Sequence, residues 1–147
     1  MYIDRISRQA WLPLGAALIF AISAFGSYLS IAAAADIKVT LAGDQEVPPV
    51  KSAGTGTGTI IIGADRSVSG SVTTTGIAGT AAHIHEAATG KSGPVIIPLT
   101  KNGYTYTVPA GAKLTDAQFG SFKAGNLYVN VHTVANPSGE IRGQLMP

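Results

Sequence analysis

The sequence contains no cysteine. That excludes a disulfide framework and a lipid-anchored N-terminal cysteine, so stability must come from an apolar core, a metal or association. Charge is also scarce, at 12% of residues, and aromatics make up 7%. Beyond residue 35 there are 8 Lys or Arg against 7 Asp or Glu, so this part of the chain is nearly neutral. No block of basic residues with interleaved aromatics occurs, and no nucleic-acid platform is expected. Catalytic sets are missing as well. No serine sits in a Gly-x-Ser-x-Gly elbow before a helix. No pair of carboxylates is placed by a regular element, so acid–base hydrolysis has no support.

Only one long apolar run is present. Arg5 and Arg8 lie in a short polar head, an apolar stretch follows from Trp11 through Ile31, and Ala32 to Ala35 close it. A basic head, an apolar middle and a small-residue exit describe a secretory signal peptide over residues 1–35, cut near Ala35 or Asp36. The run is also long enough for an uncleaved membrane anchor. Residues 36–147 form one domain by length, large enough to bury a core of its own.

What this domain does have is a period of two. Ile37, Val39 and Leu41 alternate with Lys38 and Thr40, as in a half-buried strand. Pro48 and Pro49 make the stretch from Gln45 to Ser52 a loop. Thr55, Thr57 and Thr59 alternate with glycines and run into Ile60–Ile62, and Ala64 to Arg66 turn the chain into a strand over Val68 to Thr75. Further strand patterns cover Thr80 to His85, Val95 to Leu99, Tyr104 to Val108, Leu127 to Thr133 and Glu140 to Leu145. Asn102-Gly103 supplies a hairpin turn before Tyr104. The pattern predicts an all-β, antiparallel Greek-key sandwich of about eight strands. One segment departs from it: Thr115 with Gln118 reads as a capping box and Gly125 as a stop, predicting one short helix.

Three histidines are present, all on predicted strands. In Ala82-His83-Ile84-His85-Glu86, side chains two apart share a face, so Ile84 points inward while His83 and His85 project together from the other side. Likewise Val129 and Val131 point inward, and Tyr128, Asn130 and His132 outward. If the two strands are neighbours, three imidazoles converge. Three neutral imidazoles form a first coordination shell for copper or zinc with one position left open. Groups behind them would fix their tautomers. Glu140 and Glu86 are candidates for that support, with Asn130 beside His132. The competing reading is a hydrogen-bonded surface cluster that orders the strand edges. In Gly139-Glu140-Ile141-Arg142-Gly143-Gln144-Leu145, Glu140 and Arg142 share a face, placed to form an ion pair or to bond a neighbouring turn. Two other motifs fail. Gly90-Lys91-Ser92 lacks the upstream glycine of a phosphate loop, and Gly54–Thr59 runs into a strand where a dinucleotide fingerprint needs a helix.

The segments Ala82–His85, Gly90–Val95, Leu127–Thr133 and Gly139–Leu145, together with Glu46-Val47-Pro48-Pro49, resemble the chordin-type (CHRD) domain family. They follow the family's order over nearly the whole domain. The family is similar in outline to the copper–zinc superoxide dismutase sandwich, which also uses a His-x-His strand. The resemblance implies a secreted or periplasmic Greek-key sandwich but no agreed reaction. In animal chordins the domain is part of a large extracellular antagonist of growth factors, whereas bacterial copies often stand alone. After His85 the chain departs from the family, with Glu86-Ala87 in place of a glycine-containing loop. Two functions are therefore expected to compete. One is an extracytoplasmic module that binds a metal, a protein or a small molecule through the histidine face, with no membrane association after cleavage. The other is a copper-dependent redox enzyme of the superoxide dismutase kind, with Arg142 as an anion guide.

Overall fold

A computed structural model describes residues 34–147 of the chain. The expected leader lies outside these residues up to residue 33, and the expected cut near Ala35 or Asp36 falls at the start of the first strand. Nine antiparallel strands follow in chain order: β1 (Ala35–Ala42), β2 (Thr55–Ile62), β3 (Val68–Thr75), β4 (Ala81–Glu86), β5 (Val95–Pro98), β6 (Thr100–Asn102), β7 (Thr105–Thr107), β8 (Leu127–His132) and β9 (Ile141–Leu145). One helix, α1 (Asp116–Lys123), lies between β7 and β8. Among the described residues no helix is long and apolar enough to cross a membrane.

The strands hydrogen-bond in the order β5-β4-β8-β9-β1-β2-β3-β7-β6. Two layers result, β5-β4-β8-β9 and β1-β2-β3-β7-β6, joined at one corner where β1 meets β9 through the single pair Ala42–Arg142. The opposite corner is made by the chain itself. The outermost strands, β5 and β6, are consecutive and separated by Leu99 alone, whose N–H donates to Ala82 O at 2.9 Å. A strand that bends from one layer into the next turns the corner of a sandwich and brings its open edges together. The expected sandwich is thus a flattened, nearly closed barrel, and β6 is a ninth strand where eight were expected. A three-residue strand carries too little periodicity to announce itself. Three connections, β3–β4, β5–β6 and β7–β8, cross between the layers.

Inward side chains from both layers fill one core. Ile37, Val39 and Leu41 of β1 meet Ile60 and Ile62 of β2, Val72 of β3, Ile84 of β4, Val129 and Val131 of β8, and Ile141 and Leu145 of β9. The alternating Thr-Gly pattern of β2 has a packing reason. A Cβ at Gly56 would crowd Leu41 and Ile141, and one at Gly58 would collide with the backbone of β3. The helix forms as its caps predict. Thr115 Oγ1 accepts from Gln118 N at 3.2 Å, and Gln118 Oε1 accepts from Thr115 N at 2.9 Å. Gly125 ends it at φ +73. Phe122 and Leu114 bury against the core. Ser121 donates to Glu86 at 2.6 Å and so pins the helix to the end of β4.

The outward side chains of β8 depart from expectation. Tyr128 and Asn130 are buried, not solvent-facing. Strand alternation places them on the outer face, but segments 87–94 and 133–140 fold over it. Gln144 donates to Ala87 O at 2.9 Å, and Asn130 reaches Ser138 O at 3.4 Å. A face that is outer with respect to the sheet becomes a second, polar interior.

Candidate metal centre

The covered face holds the histidines. β4 and β8 are paired neighbours, with Ala81 opposite His132, His83 opposite Asn130 and His85 opposite Tyr128. Ile84, between the two β4 histidines, is 1% exposed and sits in the core, so both imidazoles must project outward. His132 lies diagonal to His83 across the ladder, within reach of a long side chain. One potential ligand atom from each of the three residues falls within 4.8 Å of the others. Ring centroids are 5.6 Å apart for His83–His85, 4.8 Å for His83–His132 and 6.1 Å for His85–His132.

Backbone carbonyls select the tautomers. His85 Nδ1–H donates to Gly93 O at 2.9 Å, and His132 Nδ1–H donates to Pro137 O at 2.9 Å. Each of these rings then carries its lone pair on Nε2. His132 Nε2 accepts from His83 Nδ1, 2.9 Å away. His85 Nε2 is buried and has no hydrogen-bond partner. Burial holds the His83 and His85 pKa values below the ordinary 6.5, with the neighbouring histidines adding to the shift at both; the Gly93 carbonyl partly opposes it at His85. Both rings are therefore neutral at physiological pH, as metal ligands must be.

Around this cluster lies a buried polar shell. Tyr128 stacks on His85 at 4.8 Å and 9°. The guanidinium carbon of Arg142 stands 3.4 Å from the Tyr128 ring centroid. Arg142 is only 2% exposed, yet its charge is well satisfied. It donates to Lys91 O at 2.7 Å, Ala88 O at 3.2 Å and Gln144 Oε1 at 3.0 Å.

The residues expected to support the histidines divide. Asn130 lies on β8 opposite His83, its Oδ1 buried and unpartnered. Glu140 makes no hydrogen bond to an imidazole and forms no ion pair with Arg142. Its carboxylate accepts from Ser52 at 2.7 Å, from Asn136 at 3.2 Å and from Thr133. These bonds, Thr133 foremost, hold its pKa below the carboxylate norm. It fastens the turn before β9 to the β1–β2 loop. Arg142 takes the other expected course and bonds neighbouring turns. Glu86 is held by Ser121.

Sequence reasoning missed Glu46. It sits at the end of the 3-10 turn Gly43–Gln45, is 6% exposed, and has a buried, unpartnered Oε1. Burial pushes its pKa above 4.5, against the opposing pull of Asn130 and Arg142. A Cβ on Gly139 would run into both the Glu46 carboxylate and the Asn130 amide, so the two groups meet where residue 139 must be glycine.

The class of molecule is then plain: an all-β module with a polar interior organised around three imidazoles. Residues 37–145 match the family model of the CHRD domain, and the chain belongs to that family. No curated protein and no solved structure matches it.

Proposed function

We propose that this CHRD domain is an extracytoplasmic binding module that holds one copper or zinc ion through His83, His85 and His132. One observation carries the reading. His85 Nε2 is a buried lone pair with no partner, in a cluster where one ring nitrogen from each of the three histidines lies within 4.8 Å of the others. A buried polar atom left unpaired costs about 1–3 kcal/mol. Coordination would relieve that cost. The donor set fits the group: imidazole suits both copper and zinc, and two of the rings are already anchored through Nδ1 by carbonyls. Bound there, the ion would supply an open coordination position for water or a partner's side chain. The chain's own part is to hold the three rings oriented, with His83 and His85 kept neutral by burial.

Export to the periplasm or the cell exterior accords with the family and with the leader-like first 35 residues. The competing redox reading loses its anion guide. Arg142 is buried, faces Tyr128 and spends its N–H groups on Lys91, Ala88 and Gln144. Elemental analysis of the protein purified from the exported fraction tests the proposal. About one copper or zinc per chain in wild type, and none after His83, His85 and His132 are all changed to Ala, is expected. A metal-free wild type that stays metal-free after incubation with either ion would overturn it. A superoxide assay on the copper-loaded protein separates module from enzyme.

A further inference from the structure

Resting on that reading, we propose that Tyr128 is the positioning residue of the histidine cluster, fixing both the plane and the tautomer of His85.

The argument begins with the strand register. Tyr128 lies on β8 directly opposite His85, with β4 on one side of β8 and β9 on the other. Its ring therefore stands between the His85 imidazole, parallel at 4.8 Å and 9°, and the Arg142 guanidinium, 3.4 Å from the ring centroid. Stacking on one face sets the plane of the imidazole. The cation on the other face prevents the tyrosine ring from tilting away, an attraction strengthened by exclusion of water.

The hydroxyl acts on the same histidine by a second route. Tyr128 Oη accepts from Gly93 N–H at 3.2 Å, and Gly93 O accepts from His85 Nδ1–H at 2.9 Å. Gly93 is thus held at its N–H by the tyrosine and at its carbonyl by the histidine. Gly93 has no freedom to be another residue, because a Cβ there would collide with Glu86 O. Arg142 fastens the rest of the loop through Ala88 O and Lys91 O, and Glu86 N closes it on Pro94 O at 3.1 Å. The circuit from Tyr128 ring to His85 ring to Gly93 to Tyr128 hydroxyl is closed. Its output is an imidazole with the proton on Nδ1 and the lone pair on Nε2, beside the other two histidines.

A tyrosine that only filled space would be replaceable by any ring. The test therefore uses Tyr128→Phe, which keeps the ring and the cation contact, and Tyr128→Leu, which removes both. Nitrogen-15 NMR of the imidazoles in the metal-free protein reads the His85 tautomer directly, and zinc titration reads its consequence. Tyr128→Phe is expected to move the His85 nitrogen shifts away from a pure Nδ1–H tautomer and to weaken zinc binding several-fold. Tyr128→Leu should weaken it by about 10–100-fold, the usual effect of removing an outer partner of a metal ligand. Dichroism and a cooperative melt confirm folding, and if Tyr128→Leu does not fold, Tyr128→Phe decides. Unchanged His85 shifts in folded Tyr128→Phe would overturn the proposal. If wild type takes up neither zinc nor copper, the metal reading fails by itself. The imidazole spectra still decide what Tyr128 does.

Discussion

Ile84 is where fold and site are most tightly linked, and its truncation is the most quantitative perturbation available. It is 1% exposed and packs in the core from β4, between His83 and His85. Ile84→Ala removes three carbons. At about 0.8 kcal/mol per buried methylene the transfer loss is about 2.4 kcal/mol. The neighbours lie on separate strands of two layers locked by ladder bonds, so they cannot collapse fully and a cavity penalty adds to this. The sum is about 3 kcal/mol, within the range for such truncations. A domain of this size has about 5–15 kcal/mol in total, so the variant should still fold. Urea denaturation should show a midpoint lowered by about 1–2 M with the slope unchanged. Ile84→Val should cost only about 1 kcal/mol. A loss below about 1 kcal/mol for Ile84→Ala would mean that β4 does not turn Ile84 inward, and the shared face of His83 and His85 would fall with it.

Further outcomes follow from the polar interior. Burial raises the Glu46 pKa above 4.5, so its contribution is full below that value and is lost as pH rises through the folded-state value. Glu46→Gln should therefore melt higher than wild type at pH 7, with the difference vanishing near pH 4. Gly139 has φ +136 and no room for a side chain. Gly139→Ala should destabilise the domain by about 1–3 kcal/mol in the same urea assay, through strain and displacement of Glu46 and Asn130. His83 and His85 have folded pKa values below 6.5, so the unfolded chain binds more protons as pH falls from there. The metal-free protein should lose stability on acidification below about pH 6.5, and replacing both residues by Gln should flatten that dependence in thermal melts across pH.

The strand pattern of the sequence carried the layers and the histidine face because both rest on alternation. Ile84 and Val131 could be placed inward, and His83, His85 and His132 together, without coordinates. Only the pairing of β4 with β8 had to be supplied by the fold. The helix was legible for a similar reason: Thr115, Gln118 and Gly125 mark its ends through local hydrogen bonds. What escaped was decided by loops. Tyr128 and Asn130 read as outward, and their burial could not be read, because alternation says which face a residue occupies, not what later folds over that face. Glu46 lies in a proline-rich loop with no period, and only its place in Glu46-Val47-Pro48-Pro49 hinted that the segment belonged to the domain. Glu140 and Arg142 share a face of the strand the sequence predicts, yet Glu140 falls in the turn before β9 and each is claimed by a nearer partner from a loop. That competition leaves no trace in spacing.

The central claim is that three imidazoles form one metal site, and calorimetric titration of the purified protein at pH 7 with copper and with zinc tests it most directly. The account predicts one ion bound per chain, a large loss of affinity when any one of His83, His85 or His132 becomes Ala, and weaker binding as acid protonates the rings. Failure of the wild type to bind either ion, or binding of equal strength by the triple alanine variant, would contradict it.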